Sequence, residues 1–293
     1  MTYEALLKLQ KISRIGIPKN IKVLSEYWST KKAARLGAMR RYELYGNPGT
    51  LEGRRKGGLI SSKKFHSDPE YAKRRSFKLR KRISYPKETS SLAEFVGIML
   101  GDGGIRNSYQ ITISFSTETE KLYAKYIQLL INELFSLSSC IHLNKKFKAA
   151  DIVVSSRSLV EFLEQKLENK KLNKNLSQSD VPNWILQNKD YRISCLRGLV
   201  DTDGGIYYHR YKINGKWYKY PRLSFSNTSL SLLNFIKKTL EELSFMPKIG
   251  RDKITLYRLP EIKKYFEEVG THNPKHLRRY KRFIRKVLGS DPN

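Results

Sequence analysis

Two stretches a hundred residues apart carry one pattern. "FVGIMLGDGGI" runs from Phe95 to Ile105, and "LRGLVDTDGGI" from Leu196 to Ile206. In each, an apolar helical run holds a glycine five residues before an acid, Gly97 before Asp102 and Gly198 before Asp203. Glycine follows each acid. Small residues on a helix face let a second helix approach closely. If these two helices pack side by side, their C-terminal ends meet and so do the two acids. Neighbouring carboxylates repel, and the negative ends of two helix dipoles add to the repulsion. A hard divalent cation relieves both, because Mg2+ prefers carboxylate, water and phosphate oxygens. One Asp-Gly after a helix is commonly a C-terminal turn. Two at the same point of a repeated unit point to a metal site at Asp102 and Asp203.

The repeat extends beyond these helices. After Asp102 comes the alternating strand "QITISFS", then the amphipathic helix "TETEKLYAKYIQLLINELF". Strands "CIHLN" and "DIVVSS" follow, then the helix "SLVEFLEQKL". After Asp203, "GIYYHRYKI" and "YPRLSFSN" flank Asn214-Gly215, a hairpin-turn dipeptide. The helix "SLSLLNFIKKTLEEL", strands near "PKIG" and "KITLY", and the helix "PEIKKYFEEVG" complete the second copy. Each copy reads as helix, two strands, helix, two strands, helix, an α+β organisation. Matching "ITISFSTET" to "PRLSFSNTS" sets Phe115 against Phe225 and Ser114 against Ser224. The expected division is 1–90, 91–190 and 191–293.

Residues 1–90 hold 23 Lys/Arg and seven Asp/Glu, over half of a formal net charge of +30. So large a one-signed charge calls for a polyanion, with nucleic acid the default partner. The longest apolar run, Phe95 to Leu100, is too short to cross a bilayer, so no membrane partner is expected. In the basic segment, "STKKAARLGAMRRYELYG" reads as a helix with Ser29 as its N-cap, and "NPGTLEGRRKGG" reads as a loop. The whole is expected to be a mainly helical DNA-binding extension, either a helix-turn-helix or a basic arm that folds on DNA. Cys140 and Cys195, the only cysteines, lack zinc-ligand spacing. They are expected as free thiols in the reducing cytoplasm or an organellar matrix. The start "MTYEALLKLQ" lacks a signal-peptide pattern, and neither end carries an intein's splicing residues, so a free-standing protein is expected.

"FVGIMLGDG" and "LRGLVDTDG" resemble the two signature helices of single-chain LAGLIDADG homing endonucleases. "VPNWILQNKDYRISCLRGLVDTDGG" (181–205) is similar to the family's lead-in to its second motif, and "GTHNPKHLRRY" (270–280) to its closing helix. The resemblance covers about residues 90–284. It implies tandem αββαββα units related by a pseudo-two-fold, whose two antiparallel sheets form a saddle over the DNA major groove. It implies a monomer, encoded within an intron, that cuts both strands of a long asymmetric site with Mg2+ or Mn2+. Asp102 and Asp203 match the metal ligands, and Gly97 and Gly198 the helix-contact glycines. Leu100 stands where the second motif has Asp201; that position is not a family metal ligand, and Asp201 is expected to cap backbone amides. The family places a basic residue near each centre. Lys174 and Lys275 fit, each 72 residues after its acid; Lys148 and Lys253 are rivals. Ser114 and Ser224 are candidates to hold waters beside the centres. Tyr109, Gln110, Tyr207, His209, Arg210, Lys219 and Arg222 are candidates for DNA contact along the strands. An RNA-binding intron maturase and an inactive DNA-binding regulator on the same scaffold are the alternative readings.

Overall fold

A computed structural model describes residues 3–24, 28–46, 49–77, 79–144, 147–167 and 180–288. The chain divides into two compact units, at Leu79/Arg80.

The first unit holds helices α1 (Tyr3–Ser13), α2 (Trp28–Tyr45), α3 (Leu51–Ser67) and α4 (Pro69–Arg74). Two local expectations fail here. Ser29 lies inside α2 rather than before it. The stretch Leu51–Gly58, expected as loop, is the start of α3. Glycine costs a helix about 1 kcal/mol relative to alanine, which is why the composition points to a loop. The start signal is nonetheless present: Thr50 Oγ1 accepts the Gly53 amide at 3.0 Å and Glu52 sits in the first turn. Asp68 caps α4 through the Tyr71 amide at 2.9 Å, with Pro69 behind it. Phe65 stacks on Phe77 at 4.2 Å and gathers the end of this unit around buried Ala72.

The second unit starts earlier than the expected boundary at 90. Ser84 N donates to Phe135 O at 3.1 Å, Lys166 Nζ pairs with Glu88 at 2.5 Å, and Arg80 pairs with Glu161. Its first half runs α5 (Ser90–Gly101), β1 (Gly103–Asn107), β2 (Gln110–Ser116), α6 (Lys121–Phe135), β3 (Cys140–Asn144), β4 (Ala149–Ser155) and α7 (Arg157–Lys166). A short α8 (Asn183–Leu186) leads into the second half. That half is α9 (Lys189–Asp203), β5 (Gly204–Ile213), β6 (Lys216–Ser226), α10 (Leu230–Glu242), β7 (Lys248–Ile249), β8 (Lys253–Leu256), α11 (Leu259–Glu268) and α12 (Pro274–Leu288). Among the described residues the strands form two four-stranded antiparallel sheets, ordered β1-β2-β4-β3 and β5-β6-β8-β7.

The two αββαββα halves meet at α5 and α9. Every residue of α5 from Leu92 to Leu100 is buried, as expected of a helix apolar all round. Thr89 Oγ1 caps α5 at the Leu92 amide, 3.2 Å, and Asn188 Oδ1 caps α9 at the Asp190 amide, 2.9 Å. The glycines set the approach reciprocally. A Cβ at Gly97 would overlap the Cys195 carbonyl, and one at Gly198 the Glu94 carbonyl. Backbone faces backbone, so neither neighbour can rotate away. Gly198→Ala is therefore expected to cost about 1–3 kcal/mol by overpacking. It should appear as a lowered thermal midpoint, whereas Gly205→Ala, with open space beside it, should not.

The sheets correct the alignment of the repeats. Gly103 pairs with Ile113, whereas Gly204 pairs with Phe225. Ile113 in turn faces Ile152, and Phe225 faces Ile254. Ile152 and Ile254 each stand four residues before the N-cap of the next helix, Ser156 or Arg258. The counterpart of Phe225 is thus Ile113, and Ser226 rather than Ser224 matches Ser114. A two-residue slip keeps every side chain on its face, so the alternation alone could not reveal it. The slip leaves the β2–α6 connection longer than its counterpart. The N-cap Glu120 lies seven residues past Ile113, but Ser229 only four past Phe225.

Candidate active site

Close helix packing brings Asp102 and Asp203 together. Asp102 is the C-cap of α5, its amide donating to Ile98 O at 3.1 Å and its carbonyl accepting from Ser114 N at 3.0 Å. Asp203 ends α9. A Cβ at Gly101 would overlap the Thr202 hydroxyl, so this glycine lets the end of α9 lie against the end of α5. Burial, then the negative charges of Asp203 and Glu120, push the Asp102 carboxyl up to about 7, against a smaller pull from Lys275. Burial also raises Asp203, partly offset by Asn227 Nδ2, which donates to Asp203 Oδ2 at 2.8 Å. No hydrogen-bond donor among the described residues reaches the Asp102 carboxylate. Two half-buried acids with one side left unsatisfied suit a cation better than they suit each other.

The lysine arrives from the other half of the molecule. Lys275, near the start of α12, pairs its Nζ with Glu120 Oε1 at 2.8 Å, and both side chains are largely buried. Burial works against the Glu120 charge, but Lys275 and the Ser116 amide, 2.9 Å from Oε2, hold its carboxyl below the ordinary range. The 72-residue spacing links Lys275 to Asp203; in the structure its positive charge acts on Asp102. Lys174 lies outside the described residues. Lys148 is exposed and paired with Glu118 at 2.6 Å, and Lys253 Nζ donates to Tyr207 OH at 2.9 Å. Ser114 Oγ donates to Asp151 at 2.7 Å, while Ser224 Oγ lies within hydrogen-bond reach of Tyr207 OH and Thr255 Oγ1. Glu120 and Asn227 were not among the sequence candidates. Only the longer loop of the first repeat, visible once the register is known, marks Glu120.

Asp201 does a different task two residues from Asp203. It is fully buried. Its Oδ2 accepts the amides of His272 at 2.7 Å and Asn273 at 3.2 Å, and Thr271 Oγ1 donates to Oδ1. Asn273 Nδ2 returns a bond to the Asp201 carbonyl at 2.8 Å. This ties the turn before α12, and hence Lys275, to the motif helix.

Glu94, the one acid of α5, holds the same turn from the other motif helix through His272. Its carboxylate takes Tyr126 OH at 2.7 Å, His272 Nδ1 at 2.6 Å and Arg197 Nη1 at 2.9 Å. Burial opposes its charge, but these partners hold it below the ordinary carboxylate range. A lone acid in so apolar a helix is a sequence signal for such a network.

Strand pairing sorts the proposed DNA contacts by face. Residues directly opposite in an antiparallel pair share a face, and neighbours along a strand alternate. Tyr207 pairs with Arg222 and His209 with Tyr220. They share the face of Ser224, away from the buried Ile206–Leu223 pair. Gln110 takes the corresponding face of the first sheet, its Nε2 reaching Ser155 Oγ at 3.2 Å. Tyr109 is exposed just before it. Arg210 and Lys219 pair with each other on the opposite, helix-side face. They do not join the Tyr207 row, because their positions have the other parity.

Residues 190–284 match the model of the LAGLIDADG-like domain family. No curated protein matches the sequence. Among solved structures, I-DmoI in complex with DNA and Ca is 21% identical, covering 61% of this chain and 88% of that one, with a TM-score of 0.42. LAGLIDADG meganuclease I-AabMI bound to uncleaved DNA is 10% identical over 68% of this chain and 91% of that one, TM-score 0.48. Full-length DUF199/WhiA from Thermatoga maritima is 16% identical over 71% and 63%, TM-score 0.47.

Proposed function

We propose, from the match of residues 190–284 to the LAGLIDADG-like domain and from a first half with the same strand order, that the chain is a site-specific DNA endonuclease. It would hydrolyse both strands of a duplex with a divalent metal. The observation that carries this reading is the pair Asp102 and Asp203 at the touching ends of α5 and α9, with the Asp102 carboxyl pushed up to about 7. Groups of three or more His, Cys, Asp or Glu able to hold a metal are absent among the described residues. Two carboxylates alone leave most of a coordination shell to water and phosphate oxygens, which fits Mg2+, with Mn2+ as a substitute.

When bound, such a cation would supply an activated water and stabilise the leaving oxygen. The chain's own residues do the rest. Asp102 and Asp203 would hold the metal, and Asn227 fixes the Asp203 carboxylate. Glu120 holds the Lys275 ammonium beside the Asp102 centre, where it favours a phosphate and the charge that develops on it. The faces carrying Gln110 and Tyr207, His209 and Arg222 meet the bases. Both acids lie on one chain, so a monomer suffices and the two half-sites need not match.

The test is cleavage of a randomised plasmid library, followed by sequencing of the ligated ends. Mg2+ should give linear products from a few sequences, and Ca2+ should give binding without cutting. Lys275→Met should slow cutting at least tenfold while leaving affinity in Ca2+ close to that of the parent. Binding with no cutting in either Mg2+ or Mn2+ would return the chain to the maturase or regulator reading.

A further inference from the structure

The two sheets end differently. The second ends on β7, a strand of two residues that begins with Lys248. The first ends on β3, five residues long and exposed throughout. Its sequence, Cys140 to Asn144, holds no proline, lysine or acid. Short strands, lysines and prolines are the usual means of keeping a sheet edge from pairing with another chain. The β7 edge uses two of them and the β3 edge none. At about 3.4 Å per residue, β3 presents an edge of roughly 17 Å.

Beside that edge lies a cleft of about 450 Å³ between β3 and α6. Sites that bury a ligand run from about 300 to 1,000 Å³. Strand pairing places the cleft. Ile141 pairs with Ile152 and Leu143 with Ala150, so both stand on the helix side of the sheet, away from Gln110 and Ser114. Phe115 and Phe147 line the cleft with them. Leu143 is 64% and Phe147 68% exposed, an apolar patch that the described fold leaves uncovered. Exposed apolar ground with a polar rim marks a site where another chain binds. The rim here is cationic. Lys121 and Lys125, four residues apart on α6, both line the cleft, and no acid does so among the described residues. The two acids just before α6 are engaged elsewhere, Glu118 with Lys148 and Glu120 with Lys275.

We propose that the β3 edge and its cleft bind an extended acidic segment of another protein, which joins the sheet as a fifth strand. Main-chain bonds to β3 would hold the segment, and alternate side chains would give the selectivity. One face of the segment carries apolar groups for the cleft, flanked by acids for Lys121 and Lys125. A second copy of this chain suits the site less well, since it brings its own Lys121 and Lys125 and a net charge of +30. Duplex DNA brings phosphates but no apolar row to cover Ile141, Leu143 and Phe147. The site stands whether or not the chain cuts DNA.

Binding is read by fluorescence anisotropy with the full chain and a fluorescein-labelled peptide, Glu-Thr-Ile-Thr-Val-Thr-Glu. As a strand, this probe sets its acids and its apolar side chains on one face. The isomer Glu-Ile-Thr-Thr-Thr-Val-Glu has the same charge but sets them on opposite faces. The first should bind at least tenfold tighter than the second at physiological salt. N-methylation of alternate amides should abolish binding in one phase and spare it in the other, because an added strand turns only one of its edges to β3. Leu143→Asp, and Lys121→Glu combined with Lys125→Glu, should each weaken binding at least tenfold, with circular dichroism melts checking that both variants fold. Saturating duplex DNA in Ca2+ should leave the peptide bound. No binding, equal affinity for the two isomers, equal sensitivity to the two N-methyl phases, unchanged affinity in the variants, or displacement by the duplex overturns the proposal. So does a dimer in sedimentation that Leu143→Asp dissolves, which would assign the edge to a second copy.

Discussion

Asp102→Asn is expected to abolish double-strand cleavage and, in the same molecule, to make the metal-free protein more stable. The loss of activity follows from removing one of the two charges proposed to hold the metal. Several kcal/mol of transition-state stabilisation disappear with the cation, which is on the order of 10³-fold in rate. The gain in stability follows from the carboxyl being raised to about 7 in the fold against its ordinary 3.8. The unfolded chain releases this proton first as pH rises. Stability is therefore lost progressively between about pH 4 and pH 7 and stays lost above it. At 1.36 kcal/mol per pH unit the upper bound is about 4 kcal/mol. Asparagine carries no proton to lose. The variant should melt higher than the parent at pH 8, and the two should converge near pH 4. Adding Mg2+ should raise the parent's midpoint and leave the variant's nearly unchanged. Equal midpoints at pH 8 without metal would show that burial and the neighbouring Asp203 and Glu120 charges do not raise this carboxyl.

The sequence shows why this centre was legible and where legibility stopped. Gly97 and Gly198 could be found because close approach of two backbones tolerates no Cβ, and the acids stand at a fixed distance from those glycines. The strands showed in their alternation, and Asn214-Gly215 showed in its turn chemistry. Register did not show. Matching Phe115 to Phe225 satisfied both composition and face, yet the pairing of Gly103 with Ile113 puts the repeats two residues apart. Glu120 was hidden by the same error, since its place depends on a loop that the false match made look equivalent. Arg210 and Lys219 stand with His209 as candidates along the same strands, and only the pairing shows that they lie on the other face. In the basic first unit α3 was hidden by its glycines, although Thr50 and Glu52 carried the start signal.

Asp201→Ala should act on the fold where Asp203→Ala acts on the chemistry, although the two acids stand in one helical turn. Asp203 is half-exposed at the end of α9, with Asn227 as its one side-chain hydrogen-bond donor among the described residues. Removing its carboxylate relieves repulsion, and the expected cost is activity. Asp201 is fully buried and receives the His272 and Asn273 amides and the Thr271 hydroxyl. Its removal takes an acceptor from all three; the Asn273 amide keeps Thr271 Oγ1 at 3.0 Å, and the other two lose theirs at about 1–3 kcal/mol each. The total, about 3–5 kcal/mol, resembles that of breaking a buried charged network. It should lower the thermal midpoint by roughly 10 °C, at 2–4 °C per kcal/mol for a unit of this size. The turn freed by this change carries Lys275 into its place beside Glu120, so Asp201→Ala should also slow cleavage below the melting temperature. Asp201→Asn separates the two effects. It keeps one acceptor oxygen for the amides, so it should recover part of the stability and, with it, the cleavage rate. Full stability in Asp201→Ala would mean that the turn before α12 is held by something other than this carboxylate.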